Sequence, residues 1–226
     1  KNKAQNKPKV LGAKEHGIDP QLVSNNAIRV TQTLQENGFK AFIVGGAVRD
    51  LLLGVKPKDF DVATNATPEQ VKRLFRRAFI IGRRFQIVHV MFGQDLIEVT
   101  TFRGASKNEA PKDEHGRVLR DNTFGEQHED AVRRDFTINA MYYDPASETV
   151  LDYHGGIADI RKKTLRIIGV PELRYREDPV RMLRVVRFAA KLQFSIDAET
   201  RKPIPVMAPL INNVPSARVF DEMLKL

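Results

Sequence analysis

Two aspartates one residue apart, Asp59-Phe60-Asp61, are the first candidates for chemistry in this 226-residue chain. On a strand, side chains two apart point to the same face, so this spacing presents two carboxylates side by side. Ionised together they repel each other, and a divalent cation bound between them removes that cost. Upstream stands Val44-Gly45-Gly46-Ala47-Val48-Arg49-Asp50. Paired glycines let a backbone turn sharply and come close to another group. A phosphate cradle beside a magnesium site is the equipment of a nucleotide-transferring enzyme. Neither half is specific alone. The glycines form neither the Gly-x-Gly-x-x-Gly of a dinucleotide fold nor a Walker loop, and an isolated Asp-x-Asp is most often a solvated loop. The order of strand, Gly-Gly, short helix and Asp-x-Asp carries the signal.

The elements that must position these groups follow from pattern. Ala41 to Val44 is an apolar run fit for a buried strand, Ala47 to Leu53 a short helix, and Gly54 a residue suited to its end. Ser24 caps a preceding helix that buries Ala27, Val30 and Leu34. Thr67-Pro68-Glu69-Gln70 is a capping box. Ile80 to Val90 reads as two strands joined by a turn carrying Arg83 and Arg84, a guanidinium pair suited to phosphate or a base face. His89 reads as a core or edge histidine. Leu96 to Arg103 is another strand, and if it neighbours the Asp59 strand, Glu98 supplies a third carboxylate. Residues 104–116 read as a flexible loop near the site. A helix from about Glu126 leads into Arg133-Arg134-Asp135, and Met141 to Tyr143 with Val150 to Tyr153 makes a hairpin. After Gly155-Gly156 helical patterns dominate. There Asp178-Pro179 reads as a helix cap, with Arg181, Arg184, Arg187 and Lys191 forming one basic stripe beside a core face of Leu183, Val186 and Ala190. Ser216 caps a last helix with Val219, Phe220, Met223 and Leu224 inward.

Gly45-Gly46-Ala47-Val48-Arg49-Asp50 followed by Asp59-Phe60-Asp61 resembles the bacterial poly(A) polymerase and CCA-adding tRNA nucleotidyltransferase family, relatives of DNA polymerase β in their catalytic head. The resemblance extends from about Ile28 to Leu226. It implies an α+β fold: a polymerase-β-like nucleotidyltransferase head, a mixed sheet with flanking helices, followed by an all-helical neck, the chain stopping before the family's further helical region. It implies two Mg²⁺ ions on Asp59 and Asp61, with Glu98 completing the site. It implies Gly45, Gly46, Arg49 and Arg134 around the triphosphate, and Asp135 ordering the nucleotide region. Glu177-Asp178-x-x-Arg181 matches the family's base-reading motif, with Arg184 one turn on. A carboxylate accepts from an exocyclic amine and a guanidinium donates to a ring nitrogen, so Asp178 and Arg181 select A and C against G and U without separating A from C. Ile80 to Val90 is similar to the signature that distinguishes bacterial poly(A) polymerases from CCA-adding relatives. The implied activity is template-independent addition of AMP from ATP to RNA 3′ ends, with Arg83, Arg84 and Arg187 as candidates for RNA phosphates. The rivals are a CCA-adding enzyme, a non-catalytic basic RNA-binding module and non-specific polyanion binding through the basic tail.

Composition bounds these readings. The net charge of +9 favours a polyanionic partner. With no cysteine, neither disulfides nor a thiolate zinc site can be invoked. No apolar run is long enough to span a membrane, and a cytoplasmic enzyme is the simple reading. The expected organisation is a basic mobile tail over 1–20, a catalytic head over 21–153 and a helical neck over 154–226.

Overall fold

The structure, a computed structural model, describes residues 6–83, 85–104 and 123–226. Eight strands form one sheet: β1 (Lys9–Leu11), β2 (Ala41–Val44), β3 (Phe60–Thr64), β4 (Ala78–Ile81), β5 (Ile87–Phe92), β6 (Asp95–Thr101), β7 (Met141–Asp144) and β8 (Thr149–Asp152). Their order is β1-β8-β7-β2-β3-β6-β5-β4. β3 and β6 are parallel and the other neighbours antiparallel. A short parallel pair, β9 (Thr164–Leu165) and β10 (Ser195–Ile196), lies within the otherwise helical second half. The helices are α1 (Ala13–His16), α2 (Asn25–Glu36), α3 (Gly46–Leu52), α4 (Pro68–Leu74), α5 (Gln127–Val132), α6 (Gly156–Arg161), α7 (Pro171–Glu177), α8 (Val180–Leu192), α9 (Ala198–Arg201), α10 (Ile204–Met207) and α11 (Ser216–Met223).

α2 and α4 cover one face of the sheet. In α2 the Ser24 hydroxyl accepts from the Ala27 N–H at 3.2 Å, while Ala27, Val30 and Leu34 are wholly buried. Burying a Val or Leu side chain contributes roughly 1.5–3 kcal/mol, against about 1 kcal/mol for a cap. Packing therefore holds this helix and the cap sets where it begins. The capping box is present at α4, where Thr67 accepts from the Gln70 N–H at 3.3 Å and Gln70 accepts from the Thr67 N–H at 2.8 Å.

One core joins the sheet to the helices that follow it, running from Leu11 through Ile43, Val62 and Val99 to Tyr175, Val185 and Met207. A smaller cluster of Val44, Ala63, Phe102, Ala131 and Tyr142 sits on the opposite face under α5. Three expectations are corrected. Lys9–Leu11 is not mobile tail but an edge strand, because Leu11 buries its side chain beside β8. In α8 the core face is Met182, Val185 and Phe188, and Val186 is 52% exposed. In α11 Glu222 is the buried residue and Phe220 is 60% exposed, because Glu222 is drawn to two arginines of α8. The loop expected over 104–116 lies outside the described residues beyond Gly104. Among the described residues no helix is long and apolar enough to cross a membrane.

Candidate active site

The site starts where β2 ends. Gly45 has φ 72° and ψ −139°, a backbone that strains any residue with a Cβ. A Cβ on Gly46 would come within 3.2 Å of Arg49 Nη2, so the bare backbone leaves room for that guanidinium. Arg49 is buried and fully engaged. It donates from Nη1 to Asn139 Oδ1 at 2.9 Å and from Nε and Nη2 to Asp50 Oδ1 at 3.1 and 3.0 Å. Its charge lies 5.4 Å from the Phe188 ring centroid on α8.

The carboxylates lie on the adjoining strands. Asp61 in β3 stands opposite Val44 of β2 and Glu98 of β6. The condition for a third carboxylate is met: the Glu98 strand is the direct neighbour. Asp59 lies one residue before β3 and lines the same cleft as Asp61. The ladder opens at Phe60, opposite Ile97, and Asp59 stands exposed just before it. Burial, then the charge of Glu98, with a smaller push from Asp59, raises the Asp61 carboxyl to about 6, against the pull of Arg134. Hard carboxylate oxygens with this mutual repulsion fit a divalent cation of the magnesium type. Among the described residues no group of three or more His, Cys, Asp or Glu side chains is gathered into a metal cage.

Asp130 on α5 organises the basic side of the site. It is completely buried and receives Arg133 Nη2 at 2.9 Å, Arg134 Nη2 at 3.0 Å, the Tyr142 hydroxyl at 2.6 Å and the Arg103 N–H at 3.0 Å. Burial alone would raise its pKa. The two arginines, with Tyr142 and the Arg103 N–H adding to them, outweigh it and hold Asp130 down at about 2. Arg134, thus aimed, has Nη1 3.8 Å from where a Gly45 Cβ would be. Sequence reading missed Asp130, although its spacing of three and four residues to Arg133 and Arg134 on one helix was a usable signal.

The neck helices form the opposite wall. Arg184 Nε donates to Asp135 Oδ2 at 2.7 Å, and Arg184 Nη1 donates to Glu222 Oε1 at 3.2 Å. Arg187, expected to face RNA phosphates, is instead buried, donating from Nε to Glu222 Oε2 at 2.8 Å. Asp178 is extended and ends α7, Pro179 stands at the start of α8 in place of the expected aspartate cap, and the Asp178 Oδ1 accepts from the Val180 N–H at 3.3 Å across the junction. Its Oδ2 accepts from Arg218 Nη2 of α11 at 2.9 Å. Arg181 donates to the Arg174 carbonyl at 2.9 Å and to Glu177 at 3.1 Å. Arg174, also missed, donates to the Arg133 and Arg134 carbonyls at 2.9 and 2.8 Å and ties the two walls together.

Between these walls is a cleft of about 900 Å³ lined by Gly45, Gly46, Arg49, Asp59, Asp61, Arg134, Asp135, Asp178, Arg181, Arg184 and Arg187, among others. That volume suits a nucleotide-sized ligand. The fold thus brings the candidate glycines, two aspartates, arginines and Asp178 to one cavity. Glu98 stands beside Asp61 outside the cleft lining, and Arg83 is exposed on a turn away from it. Arg84 lies outside the described residues.

Residues 41–166 match the family described as the poly A polymerase head domain. Residues 193–226 match one described as a probable RNA and SrmB-binding site of polymerase A. A poly(A) polymerase I of Escherichia coli O157:H7 is 54% identical over 223 residues, covering 96% of this chain and 48% of that protein. A crystal structure of the Bacillus stearothermophilus CCA-adding enzyme in complex with CTP is similar at TM-score 0.75 and 37% identity, covering 88% of this chain and 47% of that one. A tRNA nucleotidyltransferase complexed with a primer tRNA and an incoming ATP analog is similar at TM-score 0.69 and 32% identity, over 86% of this chain and 54% of that one. The chain spans about half the length of the relatives it matches.

Proposed function

The chain belongs to the poly A polymerase head-domain family, and on that premise we propose that it transfers adenylate from ATP to RNA 3′ ends without a template, releasing diphosphate. The observation that carries this reading is the placement of Asp61, with Glu98 opposite it on the next strand, in a cleft that also holds Asp178 and Arg181. Carboxylates that gather cations thus share a cleft with residues that can read a base.

In the reaction the RNA 3′-oxygen forms a bond to the α-phosphorus, and the bond from that phosphorus to diphosphate breaks. The 3′-hydroxyl proton leaves to solvent. Mg²⁺ on Asp59 and Asp61, with Glu98 completing the set, would lower the pKa of the 3′-hydroxyl and neutralise the triphosphate. Gly45 and Gly46 let the triphosphate approach the backbone. Arg134, aimed by Asp130, supplies positive charge to it, and Arg49 adds to the field while bracing the turn. Asp135 and Arg184 hold the head and neck walls in register. Asp178 accepts from the adenine amine and Arg181 donates to a ring nitrogen. Arg181 already spends its Nη1 on Glu177 and Arg174, so base reading falls to its remaining donors. The site acts in the cytoplasm, where ATP and RNA are both at hand.

The CCA-adding reading is supported by the likeness to the CTP-bound enzyme, since Asp178 and Arg181 accept cytosine as readily as adenine. Identity favours adenylation: 54% to the poly(A) polymerase against 37% to that CCA-adding enzyme. The test is Asp59→Ala and Asp61→Ala. Each abolishes RNA extension with circular dichroism unchanged; normal turnover by either refutes the cation assignment.

A further inference from the structure

Among the described residues, the sheet face that carries Asp61 is covered over only part of its width. α5 and the rings of Phe42, Phe102, Tyr142 and Tyr153 close it over β2, β7 and β8. Beyond Asp61 the same face continues through Glu98 of β6, His89 of β5 and Phe79 of β4, which are paired in one row across the sheet. Opposed residues share a face, and His89 Nε2 stands 3.7 Å from Glu98 Oε2.

This half-face is unusual in what it shows to water. Phe79 is 52% exposed and Ile81, two residues along the same strand, 44%. Leu96 is exposed two residues before Glu98. At the turn between β4 and β5, the Arg103 guanidinium lies 4.3 Å from the centroid of the half-exposed Phe85 ring, and Arg83 is exposed beside it. Exposed apolar side chains on one sheet face among polar groups mark a candidate interaction surface. Aromatic rings beside guanidiniums suit one class of partner, single-stranded nucleic acid, whose bases stack and whose phosphates need positive charge.

Position selects the occupant. The nucleotide cleft approaches Asp61 from the side of Gly45 and Arg134. An attacking hydroxyl must reach the same carboxylate from another side, and the side of Glu98 opens onto this face. We propose that the open face of β4, β5 and β6 is the track for the last nucleotides of a single-stranded RNA, which lie over Phe79 and deliver the 3′-hydroxyl past Glu98 to Asp61. Three strand spacings separate Asp61 from Phe79, about 14 Å, the length of about four stacked nucleotides. The Ile80 to Val90 segment thereby gains a physical role, as the walls and corner of the track.

This inference rests on the adenylyltransferase reading, and its test separates the two. Extension by ATP and magnesium is measured for wild type, Phe79→Ala and Phe79→Tyr, each with a dinucleotide primer and with a decanucleotide. The track predicts that Phe79→Ala raises the apparent KM for the decanucleotide by roughly 5- to 100-fold. The KM for ATP stays within about twofold, and Phe79→Tyr restores the wild-type value. The dinucleotide, too short to reach Phe79, shows no difference among the three proteins. A decanucleotide KM unchanged in Phe79→Ala overturns the track, whatever else that face binds. So does an equal loss on both primers, which would mean a damaged head. In parallel, 4-thiouridine four nucleotides from the 3′ end should cross-link to the peptide bearing Phe79, and cross-links confined to the neck would also overturn it. Wild type without RNA extension would instead refute the underlying function.

Discussion

Replacing Asp130 by Asn keeps its shape and removes its charge. In the wild type that charge is completely buried and is held by two arginines, a tyrosine hydroxyl and a backbone N–H. Its carboxyl is displaced from 3.8 to about 2, which corresponds to about 2.5 kcal/mol in favour of the charged folded form. Breaking one side of a buried ion pair costs about 3–5 kcal/mol because the remaining charge is stranded. We therefore expect Asp130→Asn to lose about 3 kcal/mol at pH 7. The sign with pH follows from the depression. The contribution is complete above the unfolded value of 3.8 and is lost as pH falls through about 2. At pH 3 the wild type has already lost about 1 kcal/mol of it, so the gap between the two proteins narrows by that amount. Urea unfolding at pH 7 and pH 3 measures both quantities. The variant also frees Arg134, so the KM for ATP rises. An Asn variant within about 0.5 kcal/mol of wild type at pH 7, within the range of ordinary surface changes, would refute the claim that Asp130 organises the basic wall.

Asp61 has the opposite sign. Its folded carboxyl is raised from 3.8 to about 6, so the stability associated with its protonated form is complete below 3.8 and lost as pH rises through 6. Asp61→Asn should stabilise the metal-free protein at pH 7.5 by about 2–3 kcal/mol and give little gain at pH 4 in thermal melts with chelator. Magnesium should raise the melting temperature of wild type and not of the variant. Arg218 holds Asp178 through an exposed pair worth about 0.5–1 kcal/mol. Arg218→Ala should leave folding unchanged and lower the KM for ATP by roughly two- to fivefold, and a raised KM would mean that Arg218 positions Asp178 instead. Glu222→Ala strands Arg187 in a buried site and should cost about 3 kcal/mol by urea unfolding.

What could be read from the chain divides by the range of the interaction. Local signals served well: the Ser24 cap, the Thr67 to Gln70 box, the Gly45 turn and the hairpin of β7 and β8 all lie within a few residues of their cause. The Asp61 and Glu98 pairing was legible only as a condition, since register between distant strands depends on the fold. Asp130 escaped because a buried charge looks like a surface charge until its partners are known. The last helix was misjudged for the same reason. Its apolar residues suggested an inward face, but Arg184 and Arg187 recruit Glu222, and a paired buried charge outcompeted Phe220. Likewise Arg187 is one of four regularly spaced cations on α8, and only the packing of α11 reveals that it faces inward.

The central claim is adenylate transfer to RNA. It is tested most directly by incubating the full-length protein with magnesium and one nucleotide at a time, on a tRNA lacking its CCA end and on an unrelated RNA. The account predicts a growing ladder with ATP alone on both RNAs. Addition that stops after a few residues, requires CTP and accepts only the tRNA would contradict it.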